Sequence, residues 1–292
     1  MTFNKKKLTK NGLILFTKKN DLLLDKYLNS SGAYSLRYLK YNYINKSVIS
    51  VRRSFDGDIL EFKPNDIING NLENWVGEDN DGYVTTWYDQ SGNNFNLVQP
   101  IDTYQPLIVS SGSLIYENEL PTIYFTSSVK YFMSLSEYPT NVYQSSFFVV
   151  KTTGTNERIL DTRGVSPAGT LKGWQVKVTN NSDISAIDNG EGLCLTPLND
   201  VLKTQKINSC FMYGGSNSYN KWYRNSLFLD DDTNANIIDY NSGNNLFVGA
   251  NILGTSNQQF TGNCQEIILY TSDKLINRIE IESNMNEYYN VY

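Results

Sequence analysis

With no histidine in its 292 residues, the chain must do any chemistry with carboxylates, amides and aromatic rings. That absence excludes Ser-His-Asp triads, Cys-His dyads, His-ligated zinc and facial-triad iron together. The carboxylate set whose spacing suits a catalytic pair is Asp56-Gly57-Asp58-Ile59-Leu60-Glu61. A retaining glycosidase needs two carboxyls about 5–5.5 Å apart, and this spacing offers a pair on one strand. Asp-Gly between apolar runs is, however, a strong hairpin signal, and strict alternation places Glu61 on the face opposite Asp58. The stretch therefore reads as a turn. The acidic run Asp230-Asp231-Asp232 and the segment Glu78-Asp79-Asn80-Asp81 are oxygen-rich loops of the kind that suits Ca²⁺. Neither has the spacing of a defined calcium loop. No other cofactor is expected.

A second set lies at Trp87-Tyr88-Asp89-Gln90-Ser91-Gly92-Asn93-Asn94. Sugars present C–H faces that pack on rings and hydroxyls that ask for amide and carboxylate partners. Trp87, Tyr88, Asp89, Gln90 and Asn93 supply both and form the candidate carbohydrate-binding set. The same residues also make a tight turn, because Asp, Ser and Asn bond their own backbone and Gly accepts positive φ. In that reading Asp89 and Gln90 pin the loop, and alternation sends only one of Trp87 and Tyr88 outward. Arg52 and Arg53 likewise face opposite sides of a strand, and a buried one would need a carboxylate such as Asp89. The three cysteines, Cys194, Cys210 and Cys264, are far apart and odd in number, which fits small buried hydrophobes and not a disulfide framework.

The elements that must position these residues are short β-prone runs separated by Asn, Gly, Ser and Asp clusters, the pattern of a sandwich. The runs are Val48–Arg53, Tyr83–Tyr88, Thr122–Phe125, Phe147–Lys151, Trp174–Val178, Ile207–Tyr213, Lys221–Leu229, Leu246–Gly249 and Gln265–Tyr270. Helical patterning is confined to Tyr34–Tyr41 and to a C-terminal segment capped by Ser272 or Asp273, with Leu275, Ile279, Met285 and Tyr289 on its apolar face. Residues 1–30 lack strand periodicity and carry Lys5, Lys6, Lys7 and Lys10, then Leu22–Leu24, and are expected to be a docking arm. Residues 31–292 form one sandwich. The Leu13–Phe16 stretch is too short for a signal sequence or membrane span. The net charge of −5 argues against coating nucleic acid, which needs clustered Lys or Arg.

Three ordered motifs carry a family resemblance: Ala33-Tyr34-Ser35-Leu36-Arg37, Ile49-Ser50-Val51-Arg52-Arg53-Ser54, and Thr85 through Asn94 followed by Gln105-Pro106. The set resembles the opening of the catalytic domain of fungal α-L-arabinofuranosidase B, and more closely phage and viral proteins that share it, over roughly residues 22–125. Trp222-Tyr223-Arg224-Asn225, Leu246-Phe247-Val248-Gly249, Phe260-Thr261-Gly262 and Glu266 through Tyr270 resemble the closing half of laminin-G or concanavalin A-like domains. The resemblance implies an all-β, concanavalin A-like antiparallel β-sandwich (jelly roll) with a short C-terminal helix. It also implies a bacteriophage virion protein, a head decoration, head fibre or tail component assembled in the host cytoplasm. Its expected partners are other virion proteins and a host-surface glycan, without nucleic acid or membrane insertion, and a homo-oligomer is compatible with these. No catalytic residue of the arabinofuranosidase matches in the later half, so a non-enzyme is expected. A glycoside hydrolase related to α-L-arabinofuranosidase B is the alternative.

Overall fold

Alternation along two strands organises the molecule. In Tyr143–Thr152, Phe148 and Val150 enter one apolar cluster while Phe147 and Val149 enter another. In Gly262–Tyr270, Ile267 and Leu269 join the first cluster, and Ile268 and Tyr270 the second. Strands apolar on both faces need cover on both, so these two lie in the middle of three layers. The computed structural model describes residues 22–139, 141–154, 157–165, 171–178, 184–188, 192–195, 204–215, 218–232, 245–251 and 258–292.

The back sheet is built around Gly262–Tyr270. One edge of that strand pairs with Gly32–Ser35 and Ile123–Phe125, the other with Tyr143–Thr152. Lys206–Tyr213, Tyr219–Arg224 and Leu227–Asp232 continue the sheet. The front sheet runs Ile59–Phe62, Ile49–Arg53, Gly82–Trp87, Leu97–Val98, Met133–Leu135, Leu246–Val248, Arg158–Asp161 and Trp174–Val178. It ends in Ile184–Asp188 and Gly192–Leu195. All these pairings are antiparallel, and Leu107–Ser110 joins the sheets through its pair with Ile123–Phe125. The core between them is closed by Trp87, Trp174 and Trp222, none more than 1% exposed. The expected jelly-roll sandwich with a short C-terminal helix is therefore the fold.

Asp56-Gly57 makes the expected turn between Ile49–Arg53 and Ile59–Phe62, with Gly57 at φ +80° where a side chain would be strained. Arg53 holds the turn through Asp56 at 2.6 Å and Asp58 at 3.2 Å. The expected Lys221–Leu229 strand is two strands, because Asn225 and Ser226 both take positive φ and make a two-residue hairpin loop. The helix expected over Tyr34–Tyr41 is absent: Gly32–Ser35 is a fully buried strand, and Tyr41–Tyr43 is a single 3₁₀ turn.

The C-terminal helix is Arg278–Tyr289, and its buried face is Ile281, Glu282, Met285 and Tyr289. Ile279 is 61% exposed, off the expected face, because the segment from Leu275 to Asn277 is a 3₁₀ turn that resets the phase. Asp273 caps that turn by accepting the Leu275 N–H. The helix covers the outer side of the back sheet together with Leu23 and Leu24. Residues 22–30 thus pack on the sandwich, within the segment expected to be an arm. Residues 1–21, with the lysine run, lie outside the described residues. No described helix is long and apolar enough to cross a membrane.

Candidate functional site

Register places one row of side chains across the outer face of the front sheet. Directly opposed residues of adjacent strands share a face, and successive pairs link Glu61, Ser50, Thr86, Val98, Ser134, Phe247, Asp161 and Gln175. Their chain neighbours Ile49, Trp87, Leu97, Met133, Leu135, Leu246, Val248, Trp174 and Val176 face the core, so the row points away from it. At about 4.8 Å per strand the row spans on the order of 30 Å. Half-buried rings flank it: Phe132 lies 6.2 Å from Phe247 and 5.7 Å from Tyr104, and Tyr83 lies 6.4 Å from Tyr131. Arg52 stacks over Tyr83 at 4.9 Å.

At the Glu61 end the face deepens into a pocket of about 230 Å³ lined by Tyr43, Lys46, Ser47, Glu61, Tyr88, Asp89, Asn94 and Asn96. Tyr88 donates its hydroxyl to Glu61 Oε1 at 2.8 Å. Burial, then the adjacent carboxylate, push the Tyr88 hydroxyl up to about 12, so it stays a donor throughout the neutral range. Lys46 lies 4.4 Å above the Tyr43 ring. The pocket therefore combines aromatic faces, a carboxylate acceptor, amides and a cation.

The carbohydrate-binding set divides here. Tyr88 and Asp89 line the pocket, whereas Trp87 is fully buried in the core and presents no ring to a ligand. Asp89 accepts from the backbone N–H groups of Ala33, Ser91 and Phe95 and from the Ser91 hydroxyl, at 2.6–3.1 Å. Gln90 is also fully buried, accepting the Leu39 N–H and donating to the carbonyls of Ser35 and Arg37. Asn93 donates to the carbonyls of Ser30 and Ser31. Asp89, Gln90 and Asn93 thus join the loop to the first strand, and Tyr88 brings a half-buried ring to the pocket.

Asp89 is not the partner of a buried arginine. Arg52 bonds Gln105 and Asp102, Arg53 bonds Asp56 and Asp58, and the buried Arg37 pairs with Glu266. Asp230, Asp231 and Asp232 lie on the strand Leu227–Asp232, where successive carboxylates alternate faces. Among the described residues no three His, Cys, Asp or Glu side chains come together. Cys210 and Cys264 are buried, and only the backbone of Cys194 is described.

An antiparallel jelly roll with a ring-flanked outer face and a pocket at one end is the class that fold and site define. No family model and no curated protein matches the sequence. Among solved structures, the chain is similar to a GH54 α-L-arabinofuranosidase soaked with a cyclic sulfate inhibitor, with TM-score 0.51 at 11% identity over 89% of this chain and 63% of that one. It is similar to an arabinofuranosidase complexed with arabinofuranosyl-α-1,2-xylobiose, with TM-score 0.51 at 10% identity over 89% and 62%. The chain thus spans just under two thirds of these proteins' length, and at such identity the likeness shows the fold. It overturns the expectation of a non-enzyme, because this architecture carries a glycoside hydrolase in both matched proteins. The virion assignment is left resting on the motifs of residues 22–125.

Proposed function

We infer that the chain is a glycan-active protein on the α-L-arabinofuranosidase fold, a glycoside hydrolase that seats its substrate along the outer face of the front sheet with one sugar in the Tyr88–Glu61 pocket. The observation that carries this reading is the row from Glu61 to Gln175, lying among half-buried rings and ending in a pocket with an acceptor carboxylate. Half-buried rings suit the C–H faces of sugars, and Glu61, held by the Tyr88 hydroxyl, suits a sugar hydroxyl. Asp89 has its lone pairs taken by four donors and serves the loop, so it is not the second carboxylate of a hydrolytic pair.

The test is incubation with arabinofuranosyl-decorated xylo-oligosaccharides, followed by chromatography of released sugars and by calorimetric binding. Release of arabinose, reduced in Glu61→Gln and Tyr88→Ala, is the expected result. Neither release nor binding across a panel of neutral and acidic plant and bacterial glycans would overturn the reading.

A further inference from the structure

The far end of the same outer face is cationic. Arg158 and Lys177 are directly opposed on adjacent strands, and Asp161 is opposed to Gln175 two positions away. Arg163 grips Asp161 through Nε at 3.0 Å and Nη2 at 2.7 Å, which commits that carboxylate. Three cations thus surround one spoken-for anion. Glu157 does not compensate them: it lies opposite Val178, whose side chain faces the core, and its carboxylate accepts the Thr261 N–H.

Arg158 is the informative member. Its residue is 7% exposed, and among the described residues its Nε has no partner. Among the described residues its side chain makes one long bond, from Nη1 to the Glu157 carbonyl at 3.5 Å. The side-chain oxygen of Gln175, in the same cluster, is also without a partner among the described residues. A buried guanidinium left with an open donor is costly unless an anion meets it. Burial first, then the charge of Arg163, pull Arg158 down to about 10, and burial with Arg158 and Arg163 lowers Lys177 as well.

We propose that Arg158 and Lys177, with Arg163 behind them, receive the oxyanion of an acidic sugar, a uronic acid carboxylate or a sugar sulfate, on a glycan lying across the outer face. This rests on the glycan reading above and names its substrate class. The planar guanidinium fork matches either oxyanion in a bidentate contact, and Lys177 adds a point charge. Phe247, directly opposed to Asp161, offers a ring for the sugar that bears the charge.

The test is calorimetric titration with four probes: a glucuronate-bearing xylo-oligosaccharide, its neutral counterpart, a sulfated galactan oligosaccharide and inorganic sulfate. One or both charged oligosaccharides should bind at least about tenfold tighter than the neutral one, and the advantage should shrink in about 0.5 M salt and in Lys177→Gln. Lys177 is only partly buried, so this variant keeps the fold, as a thermal melt checks, and Arg158→Lys serves as a second, charge-retaining probe of the bidentate contact. Equal binding of charged and neutral oligosaccharides overturns the acidic-sugar assignment while leaving the glycan reading standing. A charged preference unmoved by either variant, or inorganic sulfate binding as tightly as the sugars, overturns it too. Binding of no oligosaccharide overturns both readings.

Discussion

Arg37 and Glu266, 229 positions apart, form a bidentate ion pair at 2.7 and 2.9 Å inside the protein. The Ser35 and Tyr289 hydroxyls also donate to Glu266, at 2.8 and 3.0 Å, so one carboxylate ties the first strand, the last strand and the terminal helix. Both partners are desolvated, which makes removing one worse than removing both. Glu266→Gln should lower unfolding stability by about 3–5 kcal/mol, and Arg37→Met with Glu266→Leu should recover much of that loss. Urea denaturation of the three proteins checks this. A single variant as stable as the parent would show the pair to be dispensable.

Asp89→Ala should destabilise the fold, not merely weaken ligand binding. It leaves the N–H groups of Ala33, Ser91 and Phe95 without their acceptor, at about 1–3 kcal/mol for each donor left buried. Asp89→Asn keeps one acceptor oxygen and should fall between. Thermal melts read the order directly, and an Asp89→Ala protein that melts like the parent yet binds no glycan would reverse the assignment of this residue to the loop.

At Tyr88 the expectation is the opposite. Tyr88→Phe keeps the ring and removes the hydroxyl bond to Glu61. Stability should change by less than about 1 kcal/mol, while glycan affinity falls roughly 3–10-fold. Tyr88→Ala removes the ring as well and should weaken binding further. Equal affinities for all three proteins would place the ligand away from this pocket.

The fold was legible because alternation and turn chemistry are local. Runs such as Phe147–Val150 and Asp56-Gly57 declare a strand and a hairpin without knowledge of their neighbours. What period two does not reveal is which face of a strand meets the core. Trp87 and Tyr88 were readable as one ring in and one out, and only the tertiary pairing with Ile49 and Leu97 put Trp87 inside. Arg37 and Glu266 gave no sequence signal, because their pairing depends on the closing of strands more than two hundred residues apart. The same holds for the row from Glu61 to Gln175. Its members come from eight strands, and no two segments carry a shared motif. The unpartnered guanidinium of Arg158 was equally hidden, since Arg-Ile-Leu-Asp reads as an ordinary strand with charged ends.

Glu157 makes the stability of the protein depend on pH. The residue is 4% exposed, and burial raises its carboxyl from 4.5 to about 7 despite the N–H donated by Thr261 at 2.7 Å. A carboxyl that holds its proton more tightly when folded stabilises the fold fully below its unfolded value. That contribution is lost as pH rises through the folded value, here between about pH 4.5 and about pH 7. The full difference corresponds to an upper bound of about 3 kcal/mol. Glu157→Gln keeps an oxygen for the Thr261 N–H and cannot ionise, so it removes the pH term and leaves the contact. Between about pH 4.5 and about pH 8 the parent should lose on the order of 1–3 kcal/mol relative to the variant, with the two nearly equal at the acid end. Urea midpoints across that range measure it. Parallel pH profiles would mean that the carboxyl is hydrated and ionises at its ordinary value, and that Thr261 alone governs the contact.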